Sequence, residues 1–256
     1  MPVPINSFKE RLAAGEKLFG CWLSLAEPCA TEIVSSAGFD WVLIDGEHAP
    51  NHIRSMRDQL LAVAGSSSHP IIRIPVGDAR LIKQVLDLGV QTLLVPIVES
   101  AEQARHLVRA CHYPPKGVRG VGAAAARASR YGDIADYIAT ADEQICLLVQ
   151  VETCAGIEAL DDILAVNGID GVFIGPADLS TDMGHVGDTY HPEVRATILD
   201  AIGRIKQMSK AAGILSTHAE ATSLYLDAGA QFVAVALDAL LLAESARRVA
   251  SNWQNR

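Results

Sequence analysis

What the chain lacks narrows its chemistry first. Basic residues are in the minority, with 21 Lys and Arg against 30 Asp and Glu, giving a formal net charge of −9 and an isoelectric point near 5.3. A nucleic-acid groove or an anionic membrane surface calls for the opposite balance, so neither is expected as a partner. The five cysteines, Cys21, Cys29, Cys111, Cys146 and Cys154, contain no C-x-x-C pair and are odd in number. They read as reduced thiols of a cytoplasmic protein, with Cys146 a small core residue. No apolar run exceeds strand length, which argues against a transmembrane span. The opening MPVPINSFKERLAAG has no apolar h-region and reads as the entry to an amphipathic helix rather than an export signal.

Several catalytic devices are also missing. The six lysines, Lys9, Lys17, Lys83, Lys116, Lys206 and Lys210, all fall in expected helices or in one long loop. A Schiff-base mechanism needs a lysine buried on a strand, where its pKa can fall, so that mechanism is excluded. No G-x-G-x-x-G follows a strand, which removes a dinucleotide site. Nor does a phosphate-binding glycine pattern follow the last two strands, so an unphosphorylated substrate is expected. His48 and His52 have the spacing of a helical zinc pair, but Pro50 interrupts the turn that would align them.

What is present is a repeat of short apolar runs, many preceded by a glycine that ends a helix. Leu88-Gly89-Val90, Asn167-Gly168-Ile169, Ala212-Gly213 and Ala228-Gly229-Ala230 each lead into such a run. Glycine just past a helix end supplies the left-handed turn that returns the chain to a strand. The runs predict eight strands, over 18–25, 41–45, 71–76, 92–98, 145–151, 171–175, 213–217 and 231–237. All are apolar, as strands covered on both faces must be. Eight strands alternating with helices over 256 residues give one domain, residues 1–256, folded as a single (β/α)8 TIM barrel. The interval from Glu99 to Glu143 is too long for one crossover helix. Its Gly-, Pro- and Ala-rich part, residues 114–131, is expected to be a lid or substrate wall rather than a disordered linker.

In such a barrel the chemistry lies at the C-terminal ends of the strands. There the sequence places Ser24, Asp45, Glu47, His48, Arg73, Glu99, Gln150, Glu152, Asp178, Thr217, His218 and Asp238. Glu152 and Asp178 end consecutive strands, with no Cys or His beside either. Two carboxylates so placed suit a hard divalent cation, Mg2+, Mn2+ or Co2+, although singly Glu152 could cap a loop and Asp178 the following helix. A lone Arg73 within IIRIPV costs several kcal/mol unless an anion meets it. That anion is either a substrate carboxylate or enolate, or a barrel carboxylate in a structural pair. His48, near Asp45 and Glu47, is a candidate general base, the alternative being a solvent-facing loop histidine.

Taken together, WVLIDGEHAPN, IIRIPV, GVRGVG followed by ARAS, LLVQVET and FIGPADLS with MGH nearby resemble the HpcH/HpaI family of class II, metal-dependent pyruvate aldolases. That family includes 4-hydroxy-2-oxoheptanedioate aldolase and 2-keto-3-deoxy sugar-acid aldolases. The likeness runs over nearly the whole chain. It implies a barrel whose C-terminal helix is swapped between subunits, and a homohexamer built as a trimer of dimers. It also implies Glu152 and Asp178 as metal ligands, Arg73 at the substrate's keto or enolate oxygen, and His48 as the base. Gln150 and the turn Gly175-Pro176-Ala177-Asp178 would position pyruvate. Asp87 matches an aspartate that pairs with the histidine in relatives. Because it lies near the far end of its helix, it could act only from a neighbouring subunit and is otherwise a surface residue.

The expected reaction is reversible cleavage of a 4-hydroxy-2-oxo acid, through a metal-bound enolate, to pyruvate or hydroxypyruvate and an aldehyde. Its partners are therefore small molecules. The lid arginines Arg119, Arg127 and Arg130 could read a distal carboxylate or serve a subunit interface. Three other readings stand beside this one: an acyl-CoA lyase of the citrate lyase β-subunit type, an isomerase or decarboxylase that shares the metal-enolate chemistry without an aldehyde partner, and a non-catalytic barrel subunit.

Overall fold

The computed structural model describes residues 2–254. The chain begins with α1 (Ser7–Ala13), whose N-cap Asn6 accepts a hydrogen bond from the Lys9 amide. It then alternates through β1 (Leu18–Leu23), α2 (Pro28–Ser35), β2 (Trp41–Asp45), α3 (Ile53–Val63), β3 (His69–Arg73), α4 (Ala79–Asp87), β4 (Thr92–Val95) and α5 (Ala101–Cys111). A long excursion containing the short α6 (Tyr137–Thr140) leads to β5 (Cys146–Val151). The second half follows as α7 (Cys154–Glu158), α8 (Leu160–Leu164), β6 (Gly171–Ile174), α9 (Pro176–Asp182), α10 (Pro192–Gln207), β7 (Ala211–Leu215), α11 (Ala219–Ala228), β8 (Ala230–Leu237) and α12 (Asp238–Gln254). The eight strands are parallel and close into a barrel in sequence order, β8 pairing with β1. The expected (β/α)8 barrel is the fold observed.

Strand periodicity sorts side chains into two cores. On β2, Val42 and Ile44 pack outward with Met56 and Leu60 of α3, whereas Trp41 and Leu43 pack inward with Ile71, Leu94, Leu148, Phe173 and Phe232. Phe8 and Leu12 of α1 join the inner cluster and plug the barrel's N-terminal end. The Trp41 indole fills so much of the interior that a Cβ at Gly20, its register partner, would overlap it. The same alternation that points Trp41 and Leu43 inward brings Asp45 into the barrel's upper mouth.

Some strand limits differ from those predicted. Strand β4 stops at Val95 rather than residue 98, because Pro96 has no amide donor and Ile97 takes a left-handed φ of 53°. Strand β3 spans 69–73, two residues earlier than predicted, since His69 and Pro70 pair with Trp41 and Val42. Strand β7 begins at Ala211, whose small side chains carried no strand signal but align with Gly171.

The segment 114–131 is not a wall of this chain's own active end. Val118 N donates to Arg109 O, Arg119 N to His112 O, and Arg127 Nη1 to Leu88 O. These acceptors lie in the last turns or caps of α4 and α5, so the segment packs beside the N-terminal ends of the strands. The excursion starts and finishes at that end, and it builds a small core of Tyr113, Ala123, Ala128, Ile134, Tyr137 and Ala141. Its placement follows from a connection that never returns to the upper rim.

Candidate active site

A cavity of about 540 Å³ opens at the C-terminal ends of the strands. Its polar lining includes Ser24, Asp45, His48, Arg73, Gln150, Asp178 and Thr217, all at expected strand ends. Among the described residues no lysine lines it, consistent with the excluded Schiff base.

Arg73 is anchored from one side. Its Nε meets Asp45 Oδ1 at 2.9 Å and its Nη2 meets Asp45 Oδ2 at 2.7 Å, while Nη1 lies 2.8 Å from Glu47 Oε2. The structural pair weighed from the sequence is therefore present, and Arg73 nevertheless lines the cavity. A guanidinium carries five N–H donors; two are spent in hydrogen bonds to Asp45, while Glu47 Oε2 is an ion-pair contact that accepts no hydrogen bond, so three donors are left. Trp22 stiffens the arrangement, its ring 4.8 Å from Arg73 Cζ and its indole N–H 3.2 Å from Asp45 Oδ2. Burial pushes the Asp45 carboxyl up, but the hydrogen bond and charge of Arg73 outweigh it and hold the group below its ordinary value. Glu47 moves the other way, since burial outweighs the attraction of Arg73.

Asp45 also shapes the loop after β2. Its Oδ1 accepts from the Glu47 amide at 2.9 Å and from the His48 amide at 3.4 Å. His48 is thereby set on the cavity wall, its side chain 66% exposed and its Nε2 3.9 Å from Glu47 Oε2.

Glu152 is buried just beyond β5, where its Oε1 accepts from the Ile97 amide at 3.0 Å and its Oε2 from the Gln150 side-chain amide. Burial raises its pKa to about 7 against these two donors, and the charges of Asp178 and Glu47 push it further. Gly175 makes room for this carboxylate: a Cβ there would overlap Glu152 Oε2 and stand 2.9 Å from Gln150 Nε2. Gln150 Oε1 has no hydrogen-bond partner although it is buried. Asp178 is exposed in the first turn of α9, whose N-cap is Gly175, so the cap lies three residues before Asp178 and the alternative in which Asp178 caps the helix does not hold. Pro176 fixes that earlier start, being favoured in a first helical turn.

Other predicted rim residues serve the scaffold. Asp238 accepts from the Ser24 amide and hydroxyl and the Leu25 amide, tying β1 to the end of β8. Glu99 accepts from Thr153 Oγ1 at 2.7 Å. Asp87 closes α4 at the opposite end of the barrel, with Oδ1 2.8 Å from Arg119 Nη2.

Sequence reading missed Trp22, Phe173, Leu215, Ser216, Leu237, Thr189 and Tyr190 on the cavity wall. Inward alternation could have given the first two. Tyr190 and Thr189 belong to the irregular loop between α9 and α10, where no periodicity points inward. That loop is braced by stacked His185 and His191 rings, 3.5 Å apart, and by His185 Nε2 at 2.8 Å from Glu193 Oε2.

A closed parallel barrel with carboxylates, a guanidinium and an imidazole converging on its C-terminal mouth defines a (β/α)8-barrel enzyme. The sequence profile described as HpcH/HpaI aldolase/citrate lyase matches residues 18–245, and the chain belongs to that family. It is 59% identical over 254 residues to a hydroxypyruvate/pyruvate aldolase of Roseobacter denitrificans, covering 99% of each chain. It is 52% identical over 248 residues to a 4-hydroxy-2-oxo-heptane-1,7-dioate aldolase of Klebsiella pneumoniae, covering 97% of this chain and 94% of that one. A crystal structure of a family member from Burkholderia cenocepacia superimposes with a TM-score of 0.93 at 38% identity, over 97% of this chain and 99% of the other. The chain is an aldolase, a carbon–carbon lyase. Among the described residues no helix is long and apolar enough to cross a membrane.

Proposed function

We propose that the cavity is the active site of a class II aldolase that reversibly cleaves 4-hydroxy-2-oxo acids to pyruvate or hydroxypyruvate and an aldehyde. Glu152 and Asp178 would hold a divalent cation, Mg2+, Mn2+ or Co2+. The observation that carries the reading is charge: Asp45 and Glu47 flank the Arg73 guanidinium, Glu47 and Asp178 act in turn on the Glu152 carboxyl, and burial has lifted Glu152 to about 7. An oxygen-only, electron-rich site with an unpartnered Gln150 Oε1 fits a hard cation better than a soft one. When bound, the cation supplies Lewis acidity toward the keto and carboxylate oxygens of the 2-oxo acid.

The chain's own residues do the rest. Arg73, held by Asp45 and beside Glu47, offers N–H groups not spent on Asp45 to the keto oxygen as negative charge develops there. Its fork costs no reorganisation during the reaction, because the carboxylates already fix it. His48 takes the proton of the 4-hydroxyl as the C3–C4 bond breaks, and returns it during carboligation. Gln150 and the backbone of Gly175, Pro176, Ala177 and Asp178 orient the pyruvate half. Trp22, Phe173, Leu215 and Leu237 give the cavity an apolar lining that limits water.

Asp87 would reach His48 only from a neighbouring copy. A homohexamer with a swapped C-terminal helix is supported by α12, on which Leu240, Leu241, Leu242, Val249 and Trp253 are exposed and only Asp238 is buried. Five free cysteines support a cytoplasmic location.

The test is pyruvate release from racemic 4-hydroxy-2-oxoheptanedioate and shorter 4-hydroxy-2-oxo acids. Turnover should vanish with EDTA and return with Mn2+ or Mg2+. Turnover indifferent to chelation would remove the roles given to Glu152 and Asp178.

A further inference from the structure

The motif GVRGVG, residues 117–122, has no place in the cavity, yet its central side chain is the most completely buried cation of the excursion. The side chain of Arg119 has no solvent exposure. It lies 4.5 Å over the Tyr113 ring and 6.0 Å from that of Tyr137, whose phenol also acts on it through a side-chain hydrogen bond, and Nη2 makes its one ion pair, at 2.8 Å, with Asp87 Oδ1. Nε and Nη1 are buried without partners. A charge desolvated for a single ion pair is a poor way to stabilise a fold, because an apolar side chain of like size would do as well or better. Its effect is to hold one carboxylate in place.

The glycines explain how it gets there. At Gly117 a Cβ would overlap the carbonyl oxygens of Arg109 and His112, and at Gly120 it would stand 3.0 Å from Lys83 Cδ. The strap can therefore press against the last turns of α4 and α5, where the Val118 and Arg119 amides are tied down at 2.8 and 2.9 Å. Asp87 Oδ2 is left beside Gly122, which is exposed, and Val118 and Val121 are exposed apolar residues of the same strap. At the other end of the barrel His48 is two-thirds exposed, with Glu47 3.9 Å away.

We propose that Arg119 is a positioning residue for Asp87, fixing one carboxylate oxygen so that the other is presented to His48 of a second copy of this chain. This rests on the reading that Asp87 serves His48 across a subunit contact. Arg119 is then the reason that the strap is built from closely packed glycines rather than left as a surface loop. The apolar Val118 and Val121 beside it belong to the same contact.

The proposal is tested in the full-length, metal-loaded enzyme with D87N, R119M, R119K and the D87N/R119M double variant. Assembly is checked by size-exclusion chromatography and folding by thermal unfolding. D87N and R119M should each lower kcat by about tenfold or more, a part of the roughly 10²- to 10⁴-fold that a general base contributes, with KM for the 4-hydroxy-2-oxo acid little changed. The double variant should be no worse than D87N alone, and R119K should recover part of the loss. Wild-type kcat in R119M beside an impaired D87N overturns the proposal. So does a double variant whose losses multiply, since Arg119 would then act independently of Asp87. Wild-type kcat in D87N instead removes the underlying reading of Asp87. If R119M does not assemble, R119Q, which keeps a polar head without the charge, is read by the same criteria.

Discussion

Asp45 and Arg73 are register partners on β2 and β3, and their side chains close a two-point fork of 2.9 and 2.7 Å inside the barrel mouth. The pairing makes one residue's function the other's stability. Arg73 serves the cavity only while Asp45 holds it, and Asp45 tolerates burial only while Arg73 neutralises it.

Arg73→Ala should therefore do more than abolish turnover. It leaves Asp45, and Glu47 beside it, buried without their counter-ion, a loss of about 3–5 kcal/mol for breaking a buried pair from one side. Arg73→Lys keeps the charge but not the fork, so it should unfold closer to wild type while turnover falls by about 10²-fold or more. Denaturant unfolding alongside the pyruvate assay separates the two effects. Equal stability of R73A and wild type would show that the pair contributes nothing to folding.

Gly175 has an ordinary φ of −93°, so its role is space rather than backbone conformation. Gly175→Ala should push Glu152 and Gln150 out of position and weaken Mn2+ affinity by about 10- to 100-fold, the usual penalty for disturbing the support of a metal ligand. Calorimetric titration of the metal-free protein measures it. Unchanged affinity would mean that Glu152 is not a ligand or that the neighbourhood yields freely.

Glu152 in the metal-free protein titrates near 7 instead of 4.5. With Glu152 as the proposed ligand, a cation would have to displace that proton, so metal affinity should fall by about tenfold for each pH unit below 7. Above 7 this dependence should flatten, and in Glu152→Gln it should be absent. Activation by Mn2+ measured from pH 5.5 to 8 reads the slope directly.

His69 pulls acid stability the other way. It is half-buried and stacked on Phe8, with Nε2 2.8 Å from Thr92 Oγ1, and the desolvation of its ring lowers its pKa from 6.5 to about 4. The unfolded chain binds this proton more readily, so the contribution of His69 is full above 6.5 and is lost as pH falls toward 4. Glu152 has the opposite sign: its folded carboxyl holds the proton more tightly, so its contribution is full below 4.5 and is lost as pH rises to about 7. Between about 4.5 and 6.5 the two slopes should offset each other in the metal-free protein. Saturating metal, which keeps Glu152 ionised, should uncover the His69 slope. Unfolding free energy measured against pH, with and without Mn2+ and in His69→Gln, checks both signs.

The sequence by itself determined the barrel, because its evidence is local. A glycine after a helix end, here Gly89 with φ 93° and Gly229 with φ 122°, and an apolar run beyond it are readable within a dozen residues. It also determined which polar residues end the strands, and so most of the polar lining of the cavity. Tertiary structure alone decided how those residues meet. Barrel closure set Asp45 beside Arg73, brought Glu47 against the same guanidinium, and left Gly175 as the space that Glu152 fills. It placed Tyr190 in the cavity and the strap carrying Arg119 at the opposite end. Loops have no period from which direction can be read, and side-chain contacts between strands depend on register and twist, which arise only when the whole sheet is closed.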